Sequence, residues 1–169
     1  MKPEDVWPDG AGGIVELPVG TDVWELHEDG FWVLVPTNMR RKKDGSAVMG
    51  AGLAKDAALR YPGLAAPYGR ALGAGCPMMA FPSWRLLLGP TKDDWRLPAK
   101  MGLVEQLLDR VAEWCRTHPG EAVVVAAPGC GRGGLGYGPV RDAVVWRLAA
   151  YRVVLLPPLA AHVRHPDRS

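Results

Sequence analysis

Cysteine is scarce in this chain. Cys76, Cys115 and Cys130 are the whole complement in 169 residues. They are too few and too scattered for a disulfide framework or a zinc site, and a reducing cytoplasm is the expected setting. The four histidines, His27, His118, His162 and His165, show no metal-ligand spacing, so no metal and no other cofactor is expected. No apolar run is long enough to cross a bilayer. The opening Met1-Lys2-Pro3-Glu4-Asp5 leads into no signal-peptide core, and no membrane partner is expected. Charge of one sign is also missing: 20 Lys and Arg against 18 Asp and Glu leave a net charge of +2. That balance argues by itself for neither nucleic acid nor membrane. There is no Gly-Lys-Ser/Thr of a P-loop and no Gly-x-Ser-x-Gly nucleophile elbow. No repeat or interdomain linker interrupts the chain. Its length suits one domain over residues 1–169, with 1–13 as a loose lead-in and 158–169 as a frayed tail.

Glycine, by contrast, is plentiful, and its placement organises the reading. Pro128-Gly129-Cys130-Gly131-Arg132-Gly133-Gly134-Leu135 follows the apolar run 122–127 and precedes a helical pattern from about Val140. Strand, glycine loop, helix is an order that sets bare backbone N–H groups beside a helix N-terminus. Unpaired donors and the helix dipole both favour an anion there, and a pyrophosphate-containing nucleotide is the expected ligand. A second such unit begins at the continuous apolar run Phe31–Pro36, a strand covered on both faces. Thr37-Asn38 and a basic loop follow. Gly50-Ala51-Gly52 then enters a helix that Pro62 stops. Shorter strands are expected at 14–19, 23–26, 78–81, 84–88 and 152–156, with a short helix in 64–75. Gly89 to Pro98 reads as a loop. Met101, Val104, Leu107, Leu108, Val111 and Trp114 make one helical stripe. Alternating strands and helices imply an α/β fold, a three-layer α/β/α sandwich with a mixed, mostly parallel sheet. The loops 37–52, 89–98 and 128–138 all follow strands and are expected to meet in one cleft beyond the strands' carboxyl ends.

Gly129-Cys130-Gly131-Arg132-Gly133-Gly134 formally fits the Gly-x-Gly-x-x-Gly of a dinucleotide fold. That fold also needs an acid at the end of the next strand, where this chain reads Pro157-Pro158-Leu159-Ala160-Ala161. Three blocks point elsewhere. They are Pro36-Thr37-Asn38 with Val48-Met49-Gly50-Ala51-Gly52-Leu53-Ala54, then Thr91-Lys92-Asp93-Asp94-Trp95-Arg96, then Pro128 to Leu135. Together and in this order, over roughly residues 31–156, they resemble the macrodomain family, in its branch of DarG-like and terminal-ADP-ribose-glycohydrolase-like hydrolases. The resemblance implies a macrodomain fold, ADP-ribose as ligand, and metal-independent removal of mono-ADP-ribose from a modified protein or DNA base. It also implies a bacterial, monomeric, cytoplasmic protein of the DNA damage response.

The resemblance implies that Lys92 and Asn38 are catalytic. It implies ADP-ribose contacts from Thr37, Asn38, Met49, Gly50, Ala51, Gly52, Leu53, Thr91, Gly129, Cys130, Gly131, Arg132, Gly133, Gly134 and Leu135. Each also has an ordinary alternative. Asn38 can hydrogen-bond ribose hydroxyls or brace its own turn. Lys92, if desolvated, is an amine of lowered pKa suited to attack an anomeric carbon; otherwise it is a solvated surface lysine. Asp22 is read as a cap rather than an adenine contact. Cys130 is read as a packing residue, and Trp95 as a neighbour of the bound sugar. Arg40, Arg41, Lys42 and Lys43 either steer a phosphorylated target or form a solvated loop. One departure stands out. A catalytic aspartate in the second glycine loop of the human member aligns with Gly133, leaving Asp93, Asp94 or Asp44 as replacements. The missing acid favours a non-catalytic ADP-ribose reader; Lys92 and Asn38 favour an enzyme. Hydrolysis of a small ADP-ribose derivative is a third option.

Overall fold

The computed structural model describes residues 1–159. Its centre is β2 (Trp32–Asn38), the apolar run that the sequence marks most clearly. Strands β5 (Ala122–Ala126) and β4 (Leu86–Lys92) flank it, both parallel to it. With β1 (Gly13–Glu16), β3 (Met79–Phe81) and β6 (Arg152–Leu156) they form one six-stranded sheet in the order β1-β6-β5-β2-β4-β3. Only β3 runs antiparallel, hairpin-fashion against β4.

Both faces of the sheet are apolar because alternate residues of each strand point to opposite sides. Val33, Val35, Leu86, Leu88, Val124 and Val154 face one core, shared with α1 (Pro3–Val6), α2 (Val23–Glu28), α3 (Gly52–Arg60) and α4 (Ala65–Gly73). Trp32, Leu34, Leu87, Val123, Val125, Val153 and Leu155 face the other, against α5 (Met101–Thr117) and α6 (Tyr137–Leu148). The result is the three-layer α/β/α sandwich with a mixed, mostly parallel sheet. No helix of the described residues is long and apolar enough to cross a membrane.

Several expectations need correction. The stretch 23–26 is helix, not strand: the Asp22 carboxylate accepts from Trp24 N at 2.8 Å and caps α2. The lead-in 1–13 is not loose. Pro3–Val6 is helical, and the buried Trp7 donates its indole N–H to Gly13 O at 2.9 Å. Gly89 to Lys92 continue β4 rather than opening a loop. β3 pairs no further than Leu88, so beyond it β4 is an edge on that side, where the missing N–H of Pro90 is tolerated. Of the expected frayed tail 158–169, residues 160–169, with His162 and His165, lie outside the described residues.

Candidate functional site

The carboxyl ends of β2, β4 and β5 open into one cleft of about 750 Å³, and the chain's three turns line it. From the β2–α3 connection come Pro36 to Asn38 and Val48 to Ala54; from the end of β4, Thr91, Lys92 and Trp95; from β5 and its loop, Ala126, Ala127, Gly129 and Gly131 to Gly133.

Two of these walls present main chain. α3 begins at Gly52 with no side-chain cap, and the N–H groups of Gly50 to Ala54 find no acceptor among the described residues. In the second loop, Cys130 N bonds Ala127 O at 3.1 Å, Gly134 N bonds Gly131 O at 3.1 Å and Leu135 N bonds Gly129 O at 2.9 Å. These bonds fold the loop on itself and leave the N–H groups of Gly131, Arg132 and Gly133 without acceptors among the described residues. Facing rows of free donors on either side of a cleft form an anion cradle. The loop is shaped by close approach. Gly129 has φ of +82°, and a Cβ on Gly133 would fall 2.5 Å from Gly129 O and 2.6 Å from Ala99 Cβ. An aspartate at position 133 therefore requires the loop to move. Ala127, at the start of the turn, is held at φ +31°, a left-handed strain that surrounding structure must impose.

The third wall presents side chains. Lys92 ends β4 opposite Asn38 in the register of β2 and β4. Among the described residues its amine has no carboxylate partner. Burial pushes its pKa down from the ordinary lysine value, and the cationic Arg132 across the cleft pushes it further the same way. Asn38 lines the cleft with its amide already engaged: Oδ1 accepts from Arg40 N at 2.8 Å and Nδ2 donates to Val48 O at 3.1 Å. It braces the loop as well as facing the cavity. The Thr37 hydroxyl is bound to Tyr68 OH at 2.6 Å.

Cys130, Gly134 and Leu135, expected as ligand contacts, are not in the lining. Cys130 and Leu135 pack into the α5–α6 core. Burial pushes the Cys130 thiol up to about 11, so it stays protonated and unreactive. None of the three proposed replacement acids reaches the cleft. Asp44 caps Ser46 in an exposed turn, Asp93 pairs with Lys100, and Asp94 is taken up by Arg40 and Arg96. Among the described residues the carboxylate that does line the cavity is Asp56 of α3. Sequence reasoning did not place it in the site, nor Val23, Pro36, Val48, Ala54, Ala126 and Ala127. A position on a helix face gives no motif; only the folding of α2 and α3 over the strand ends brings Val23 and Asp56 in.

No family model matches the chain, and no curated protein matches it in sequence. Solved structures do resemble it. The macrodomain of Mycobacterium tuberculosis DarG is 24% identical over 86% of this chain and 99% of its own, with a TM-score of 0.69. The macrodomain of Thermus aquaticus DarG is 21% identical over 86% and 100%, with a TM-score of 0.70. A Thermosipho africanus DarTG in complex with ADP-ribose is 22% identical over 90% of this chain and 43% of that longer one, with a TM-score of 0.71. At these identities the likeness is one of fold, and the fold is that of a macrodomain.

Proposed function

We propose that the cleft binds ADP-ribose and that the protein is an ADP-ribosyl hydrolase, releasing mono-ADP-ribose from a modified macromolecule with the help of Lys92. The observation that carries the reading is an amine with no carboxylate partner among the described residues, of lowered pKa, in the same cavity as two rows of unpaired N–H groups. The N–H rows suit a pyrophosphate, which needs many donors and little side-chain bulk. The macrodomain fold, and the Thermosipho structure solved with ADP-ribose, support that choice of ligand.

The chemistry follows from the amine. Neutral Lys92 attacks the anomeric carbon of the distal ribose. The bond to the target breaks with its electron pair leaving on the target, which takes up a proton. Water then cleaves the lysine–sugar bond and restores the amine. Neither step calls for a metal. The targets that fit are an acidic protein side chain or a DNA base. The setting is the cytoplasm of a bacterium, where a monomer reverses ADP-ribosylation as part of a DNA damage response.

The test is incubation with an automodified ADP-ribosyltransferase and, separately, with ADP-ribosylated DNA. Free ADP-ribose released from either substrate is the expected result. A second reading, a non-catalytic reader, draws on Gly133 and on the absence of Asp44, Asp93 and Asp94 from the lining. Thermal stabilisation by ADP-ribose with no release from any substrate decides for the reader, since a ligand that binds only the folded state raises stability.

A further inference from the structure

The turn after β4 contains a carboxylate that does no evident chemistry and is nonetheless held by more donors than any other in the described structure. Asp94 is 4% exposed. Its Oδ1 accepts from Arg96 N at 2.9 Å and from Arg96 Nε at 3.0 Å. Its Oδ2 accepts from Arg96 Nη2 at 2.8 Å and from Arg40 Nε at 2.7 Å. Four donors on two oxygens use the carboxylate's full capacity, so Asp94 has no lone pair left to act as a base.

What these bonds join matters more than their number. Arg40 belongs to the β2–α3 loop, and its own N–H is fixed by Asn38 Oδ1 at 2.8 Å. Arg96 belongs to the turn itself and lies 5.4 Å from the centre of the Trp95 ring. Trp95 is 57% exposed yet lines the cleft, and Lys92 lies two residues before Asp94. One buried anion thus ties two of the three cleft turns together. It braces a tryptophan at the rim and closes the turn that carries the free amine. Leu97 N to Asp94 O at 3.0 Å and Lys100 N to Thr91 O at 2.9 Å complete that turn.

We propose that Asp94 is a positioning residue: through Arg40 and Arg96 it aims the Lys92 amine and stands Trp95 against the group borne on the far sugar. The proposal rests on the reading of Lys92 given above. It concerns geometry rather than proton transfer. Asp94 is held far below the ordinary carboxylate range, first by the Arg96 hydrogen bonds and then by Arg40, so it remains ionised throughout any working pH. The other charged groups of the cleft and of this turn are Arg132, which acts on Lys92, Asp56 in the lining, and Asp93, which is bound to Lys100.

The test uses Asp94→Asn in the full chain, with Arg40→Gln and Arg96→Gln as companions whose side chains are mostly exposed. Misplacement of a reacting group by about an ångström lowers turnover ~10²-fold. Asp94→Asn is therefore expected to lose about that factor in kcat at all pH values, with ADP-ribose affinity within about threefold. The two arginine variants should each lose less, and their double variant should be clearly non-additive, as residues of one network are. A second readout does not depend on turnover. Fluorotryptophan NMR, with Trp95 assigned from Trp95→Phe, should show the Trp95 signal shifted or broadened, and reductive methylation of Lys92 should change rate. If the wild type releases ADP-ribose from nothing, the hydrolase reading fails and the clamp is judged on these two signals alone. A folded Asp94→Asn protein with wild-type kcat, or with an unmoved Trp95 signal and an unchanged Lys92 labelling rate, overturns the proposal. Should Asp94→Asn not fold, unchanged signals in both arginine variants overturn it equally.

Discussion

The two ends of the cleft are built from different materials. The glycine loops offer mainly main chain: N–H groups at Gly50 to Ala54 and at Gly131 to Gly133 without acceptors among the described residues, with Arg132 as the charged side chain. The end of β4 offers side chains: Lys92, Trp95 and the Asp94 ion pairs behind them. Main-chain donors are fixed once the backbone is fixed, so they suit an invariant group such as a diphosphate. A side chain can be retuned by its neighbours, and so suits the reacting end. Binding and turnover should therefore separate along the cleft.

Lys92→Ala is the strongest test of that separation. Removing the reacting amine should lower turnover ~10³-fold or more, while ADP-ribose binding, measured by calorimetry, stays within about threefold. An equal fall in affinity would show that the amine serves the diphosphate instead. Gly133→Val is the converse. Its Cβ would collide with Gly129 O and Ala99, and overpacking of this kind costs about 1–3 kcal/mol. Affinity and turnover should fall together, by roughly five- to a hundredfold. Gly52→Ala is milder. Gly52 sits at φ +57° with open space around it, so alanine there loses about 1 kcal/mol to the left-handed backbone. Titration should show an affinity loss of about fivefold. The smallest effect concerns pH. Turnover through the neutral amine should rise with pH and level off below the ordinary lysine pKa. Arg132→Gln should move that plateau towards higher pH, by less than burial has lowered it, because burial is the larger cause. A pH–rate profile that does not move shows that Arg132 has no hold on the amine.

The sheet was largely legible in the sequence because strands covered on both faces read as continuous apolar runs, as 31–36 and 122–127 do. α2 was misread because Val23-Trp24-Glu25-Leu26 is short and mostly apolar, which does not separate strand from helix; the Asp22 cap opens a helix there. The Gly89-Pro90 pair looked like a loop because the sequence does not reveal that β3 stops short of it. In the site, residues at strand ends were legible and line the cleft: Asn38, Lys92, Gly50 to Leu53, Gly129 and Gly131 to Gly133, while Cys130, Gly134 and Leu135 do not. The acids were not. Asp44, Asp93 and Asp94 stood close in sequence, but Asp44 is taken up by Ser46, Asp93 by Lys100, and Asp94 by Arg96 and the distant Arg40. Asp56 reaches the cleft from a helix whose exposed face carries no pattern.

Ala99 lies between the two ends. Its N–H donates to Gly133 O at 3.0 Å, and the next residue's N–H donates to Thr91 O at 2.9 Å, one residue before Lys92. The anion-facing loop and the amine-bearing turn thus hang from adjacent links of the same backbone. A diphosphate that stiffened one would, through these two bonds, also restrain the other, so an occupied cradle would hold the lysine in place as well.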